Sequence, residues 1–295
     1  MIMARTVIGW TFVVIMVIGV VYAAISPALQ PIVFPKVELP GFTQATGASD
    51  YYSLVKGVNV SQIINFVDLN ATVKFGVISV IFSDDPNLGV ESRFDRGQNA
   101  SALEITRTTE NHVLDVNMYG EAGALNLTLG RSLQYNGSLN LRIGGATIRL
   151  DQYANVSKFE VNIEYIGGVV LDIHNGASFE QFDLAVDLGG VLLNIDADHI
   201  VKDGAINVST NIGGVSMGIN VINSAQVGIS LEGTVDVGGI TTNNNQFIGT
   251  TSNTHCSLKT ANYQSAGKKI DIEAETGLGG ITLQPATQNI PGFTV

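Results

Sequence analysis

From about residue 110 to residue 284, apolar and polar positions alternate in short runs broken by glycine pairs. The pairs fall at 144–145, 167–168, 189–190, 213–214 and 238–239, at intervals of 23, 22, 24 and 25 residues. A sixth pair, Gly279-Gly280, follows 41 residues later, and Gly123 precedes the first pair by 21 in a similar context. Before the pairs come runs such as Leu139, Leu141, Ile143, or Phe182, Leu184, Val186, Leu188, or Val235, Val237; after them come runs such as Val191, Leu193, Ile195. Period two predicts β-strands with one buried face. The apolar phase changes across each glycine pair, and a bend or bulge there returns both strands to one core, which glycine permits. Before Gly167 one extra residue intrudes in the 159–166 run.

Each repeat is two short strands and two turns, too little to bury its own apolar face. Stacked parallel copies can bury it, with like residues in columns. The expected fold is all-β: a β-solenoid of two-strand rungs of 22–25 residues over 111–284, with a polar insertion at 243–278. An antiparallel sandwich also has regular turns, but it does not require glycine pairs at a near-constant interval. No proline occurs from 87 to 284, which suits uninterrupted ladders. The expected register turns Leu184, Val186, Leu193, Ile195, Val208 and Met217 inward, and Asp183, Asp187, Asp196 and Asn207 outward. Residues 51–110 lack the glycine-pair rhythm and carry Lys56, Lys74, Arg93, Arg96 and Arg107. They are expected to cap the membrane-near end of the stack, and the segment after Ile240 to close the far end, leaving 285–295 as a tail.

The N-terminal segment is different. Thr6 to Pro35 carries no charge, and Val7 to Ile25 is nearly all apolar. Nineteen residues of helix span about 28 Å, close to a bilayer core of about 30 Å. Trp10 and Tyr22 sit near the ends, Arg5 precedes the run, and Lys36 is the next cation. Residues 1–25 therefore read as an N-terminal transmembrane helix, a single-pass signal anchor with its N-terminus cytoplasmic and the body outside the cell. Val21-Tyr22-Ala23 has the small-residue pattern a signal peptidase accepts, but the apolar run exceeds a usual signal h-region. Pro27, Pro31, Pro35 and Pro40 make residues 26–50 a stiff stalk.

The repeated apolar–x–apolar–Gly-Gly–Val–x–apolar rung beside a membrane segment resembles the toast-rack and putative-adhesin β-solenoid domains of prokaryotic envelope proteins, over about residues 110–284. The resemblance implies an extracytoplasmic scaffold used for adhesion or envelope sensing, and it supplies no catalytic residue.

A net charge of -11 and a pI near 4.7 argue against a nucleic-acid partner. One cysteine excludes a disulfide framework and a zinc site built on several cysteines. Between 159 and 258 there are 11 acids and one base, Lys202. Stacked rungs would bring such acids to about 4.8 Å, unfavourable unless a cation or solvent screens them. Calcium is the metal they would hold, with Asp196 and Asp198 on one strand and Asp172, Asp183 or Asp187 on neighbouring rungs; no contiguous calcium-loop motif is present. Otherwise no cofactor is expected. Polysaccharide cleavage needs clustered acids with Arg or Lys and aromatic platforms, and this window has no Arg and no Trp. His112, His174, His199 and His255 are scattered, and His255-Cys256 lies alone in the polar insertion. Seven Asn-x-Ser/Thr sequons, at Asn59, Asn70, Asn99, Asn126, Asn136, Asn155 and Asn207, are glycosylation candidates on an exported chain. The expectation is a non-enzymatic, membrane-anchored surface protein. Its partners are the bilayer, through residues 7–25, and a surface polysaccharide or protein. The alternatives are a polysaccharide-active β-helical enzyme and a subunit of a surface filament or layer.

Overall fold

The computed structural model describes residues 49–55, 64–97, 100–196, 198–221 and 226–286. The expected membrane helix, nearly all of the stalk, Asn59, Asn99 and residues 287–295 lie outside the described residues. No helix among the described residues is long and apolar enough to cross a membrane.

The rung is one long strand bent at glycine. In β8 (Ser178–Asp196) the buried positions are Phe182, Leu184 and Val186, then Val191, Leu193 and Ile195. The gap of five between Val186 and Val191 is the expected phase change, and both arms feed one hydrophobic cluster. All six residues expected to face inward are buried, at 0–3% exposure. Asp183, Asp187, Asp196 and Asn207 lie on the outer face.

Rungs of the same kind are β2 (Phe66–Ser83), β5 (Val113–Gly130), β6 (Gln134–Leu150), β7 (Asn155–His174), β9 (Gly204–Asn220), β10 (Val227–Thr242) and β13 (Lys268–Gln284). They pair in parallel in the order β5-β2-β6-β7-β8-β9-β13-β10. At each bend the first glycine stacks on the next: Gly123, Gly76, Gly144, Gly167, Gly189, Gly213, Gly279 and Gly238 form one column. A Cβ on Gly189, whose φ is +146°, would lie 1.7 Å from the Gly167 carbonyl oxygen. The glycines are thus required by close approach as well as by φ.

The order departs from the chain. Residues 66–83, expected within a capping region, form a complete rung: Val73 and Ile78 are buried on either side of the bend at Gly76. The β4 strand (Glu104–Glu110) turns into β5 through Asn111 and His112, both at positive φ as a two-residue type I′ hairpin requires. The second strand of this hairpin, β5, lies outside β2, and β6 pairs with the other edge of β2. The last rung, β13, likewise inserts between β9 and β10 instead of following β10.

The ends are closed by antiparallel strands. At the near end β4 covers the first arm of β5, β3 (Leu88–Arg96) covers its second arm, and β1 (Ser49–Val55) pairs with β3. Tyr135 fastens this end: its buried hydroxyl lies 2.7 Å from both the Gly89 and Gly130 carbonyl oxygens, and burial drives its pKa up. At the far end β12 (His255–Thr260) covers only Ser230–Thr234 of β10, and β11 (Phe247–Thr251) pairs with β12. No strand among the described residues pairs with the outer side of Val237–Thr242.

Candidate functional surface

The outer face of the first arms carries most of the chemistry. Side chains at equal height above the bend form columns: Ser138, Glu160, Asp183, Asn207 and Glu273 in one, and Asn140, Asn162, Ala185, Ser209 and, at the end, Glu275 in the next. The short residues of the second column leave an open trough of about 560 Å³. Lys158 lies across its wall, 2.6 Å from Glu160 and 3.1 Å from Asp183. Asp183 also accepts hydrogen bonds from Gln181 (2.9 Å) and Asn207 (2.8 Å). Burial pushes its carboxyl up, but these donors together with Lys158 outweigh burial and hold it below the usual carboxylate range. The Lys158 ammonium is held above its ordinary value, chiefly by the hydrogen bond to Glu160. A group with a depressed native pKa stabilises the fold above its unfolded value of about 3.9, and that contribution is lost as pH falls through the native value. An NMR titration of the Asp183 carboxyl should therefore show a midpoint below 3.9, moving up in Asn207→Ala. A midpoint at or above that value would contradict the network.

The acids do not simply stack on one another. Asn136 donates to Asp68 (2.7 Å), Asn194 to Asp172 (2.8 Å), Asn211 to Asp187 (2.6 Å) and Asn220 to Asp196 (3.1 Å), each from a neighbouring rung. At these four positions an amide beside the carboxylate relieves the like-charge stacking expected from the sequence. The calcium candidates are also dispersed: Asp183, held by Lys158 and amides, is on the first arm of β8. Asp187 is on a first arm, Asp172 and Asp196 are near the ends of second arms, and Asp198 is in the following turn, where its backbone N–H donates to Asn175 Oδ1 at 2.5 Å. Among the described residues no group of three His, Cys, Asp or Glu side chains is placed to hold a metal ion.

His255 and Cys256 separate by environment. Cys256 is fully buried in β12, and burial, then Glu232, pushes its thiol pKa up, the reverse of what a nucleophile needs. His255 is exposed, 3.9 Å from Glu232. Of the sequons, Asn70 is exposed, whereas Asn126, Asn136, Asn155 and Asn207 are half-buried.

Sequence reasoning missed the rim of the bend. Ile143 and Val237 were expected to continue the buried alternation, but they are 40% and 61% exposed, and Ile212 on β9 is likewise 40% exposed. The chain is already turning at the residue before the glycine, so that side chain reaches the rim instead of the core. The extra residue in β7 breaks the ladder between Ile163 and Ile166. This bulge presents Tyr165 outward, with the Arg142 guanidinium 4.9 Å from its ring centre.

No family model and no curated protein matches the chain. Among solved structures it is similar to a putative cell adhesion protein from Clostridium sporogenes, at 15% identity and a TM-score of 0.51, covering 80% of this chain and 98% of that one. A putative adhesin from Bacteroides fragilis aligns over 82% of this chain and 100% of its own, at 11% identity and a TM-score of 0.29. The likeness is one of fold: the bent-strand stack of this chain is of the putative-adhesin type.

Proposed function

We propose that this chain is an adhesion or scaffold module of the β-solenoid kind, tethered by residues 7–25 to a membrane with its body outside the cell, and acting by surface contact without catalysis. The observation that carries the reading is the parallel stack of eight rungs aligned at one glycine column, which gives regular faces of repeated side chains. Two of the carboxylates along the trough, Glu160 and Asp183, are engaged by Lys158 and, at Asp183, by the Asn207 amide. A repeated polar face offers many equal weak contacts to an extended partner such as a cell-wall polysaccharide, and their avidity replaces a single deep pocket. The fold shared with a protein named for cell adhesion supports the same reading, as does the exposed sequon at Asn70.

The test uses the full chain reconstituted in vesicles and a panel of immobilised cell-wall polysaccharides. Retention at least about tenfold above protein-free vesicles on one of them is expected, avidity being able to supply that factor, with no release of reducing ends. Release of reducing ends that disappears in Glu160→Gln or Asp183→Asn would overturn the proposal in favour of a polysaccharide-cleaving enzyme.

A further inference from the structure

The rim of the bend is an apolar ridge beside a groove. The residues preceding the glycines stack in register from rung to rung. Five of them are well exposed: Phe75 (38%), Ile143 (40%), Ile212 (40%), Leu278 (46%) and Val237 (61%). Past the first glycines runs the column of six second glycines, from Gly145 to Gly239, which has no side chains; on β2 and β5 that position holds Val77 and Ala124. Eight strands about 4.8 Å apart make the ridge about 34 Å long, and the six strands with a second glycine make the groove about 24 Å long. An apolar stripe of the full ridge length, exposed at five positions and half-buried at Ile166 and Leu188 in its middle, is unusual on a solitary soluble body.

We propose that this rim is an interface at which a second copy of the chain packs side by side, with the two stacks parallel. A two-fold axis along the stack turns the first-arm side of one copy toward the second-arm side of the other. The aliphatic ridge of each copy then faces the glycine groove of its partner, with the same rung spacing on both sides, as an isologous contact requires.

Charge selects this arrangement. The flank on the first-arm side carries Lys74, Arg142, Glu164, Asp187 and Asp236. The matching flank on the second-arm side carries Ser79, Thr147, Val170, Leu192, Ser216 and Thr282 and has no charge. Parallel packing sets the charged flank of each copy against the uncharged flank of the other. Antiparallel packing would set the charged flanks against each other, with carboxylates such as Glu164 and Asp187 brought together.

A strip about 15 Å wide along this length buries on the order of 1,000 Å² over both copies, the lower end for a specific association. Parallel stacks also put both chain starts at the same end. The gain in effective concentration from two tethers in one membrane rests on the proposed anchor; the ridge and groove do not.

The experiment is light scattering and thiol cross-linking on the full chain in detergent. Leu278→Lys and Gly239→Lys are the disrupting variants. Leu278 is exposed, and a Cβ on Gly239 meets nothing within 4 Å, so each should leave the far-UV spectrum and melting temperature unchanged. The unsubstituted chain should have a dimer mass, and both variants a monomer mass. Leu278→Cys should cross-link to itself through a short bifunctional maleimide, since parallel stacks bring equal rungs together. A monomeric parent chain, or a dimer that survives both substitutions, would overturn the interface. Cross-linking of Phe75→Cys to Val237→Cys with none at Leu278→Cys would overturn the parallel arrangement. Variants that lose binding to protein-free vesicles while the parent stays monomeric would assign the stripe to a lipid surface instead. Polysaccharide retention by the monomeric variants would leave the adhesion reading standing whatever happens to the dimer.

Discussion

Gly189→Ala should abolish the native fold, while Gly190→Ala at the next position should leave a folded protein. The added methyl at Gly189 would lie 1.7 Å from the Gly167 carbonyl oxygen, and φ there is +146°. Neither rung can retreat, because the same glycine column locks each to its neighbours on both sides. Relief requires breaking ladder bonds in the middle of the stack, at a cost of more than about 4 kcal/mol, the range reserved for backbone and packing failures. At Gly190 the nearest atom is the Gly214 oxygen at 3.0 Å, with no positive φ, so a shift of a few tenths of an ångström suffices. Far-UV circular dichroism and urea unfolding of the two variants make the comparison. A Gly189→Ala protein as stable as the parent would show that the bend does not depend on close approach.

Phe182→Ala should cost about 3–5 kcal/mol, the usual range for removing a buried phenylalanine. Phe182 is fully buried, with its ring centre 6.0 Å from that of Phe159 on the adjacent rung and 5.7 Å from that of Phe179. Truncation leaves a void bounded by two rungs whose backbones are held by parallel ladders, so collapse is limited and the cavity cost persists. Asp187→Ala serves as the control. That carboxylate is exposed and loses only the hydrogen bond from Asn211, so its effect should stay within about 0.5 kcal/mol. Equal losses in urea denaturation for the two variants would contradict the register that places Phe182 inside and Asp187 outside.

How much of this was legible in the sequence varies from element to element. The rung was legible. The alternation at 182, 184 and 186 and at 191, 193 and 195, with glycine between, gave strand, bend and buried face together, because period two and the phase change are local consequences of backbone geometry. The rung at Phe66–Ser83 was available by the same signal, since Val73 and Ile78 also stand five apart around a glycine. It was passed over because Val77 replaces the second glycine, the residue of the pair that packing constrains less. The surface was less legible. The acids could be counted from the sequence, but the amides beside them could not be placed, since an Asn and an Asp become neighbours only through pairing between rungs.

The sequence by itself determined what each rung is: a strand that bends at an obligatory glycine and buries alternate residues on both arms. Only the tertiary structure decided where each rung goes. All eight rungs share the same glycine and the same inward columns, so any order of stacking satisfies the local pattern equally well. Features outside the repeat accompany that order: the Asn111-His112 hairpin lays β4 on the first arm of β5, and β12 lies on the outer edge of β10, whose inner edge takes β13. From that order follow the strands that cover each end, the Asp–Asn contacts, and the rim where Ile212 and Leu278 come into line from positions 66 residues apart. Period and phase are local and are written in the chain; adjacency is non-local, and it is selected by the packing of the whole stack.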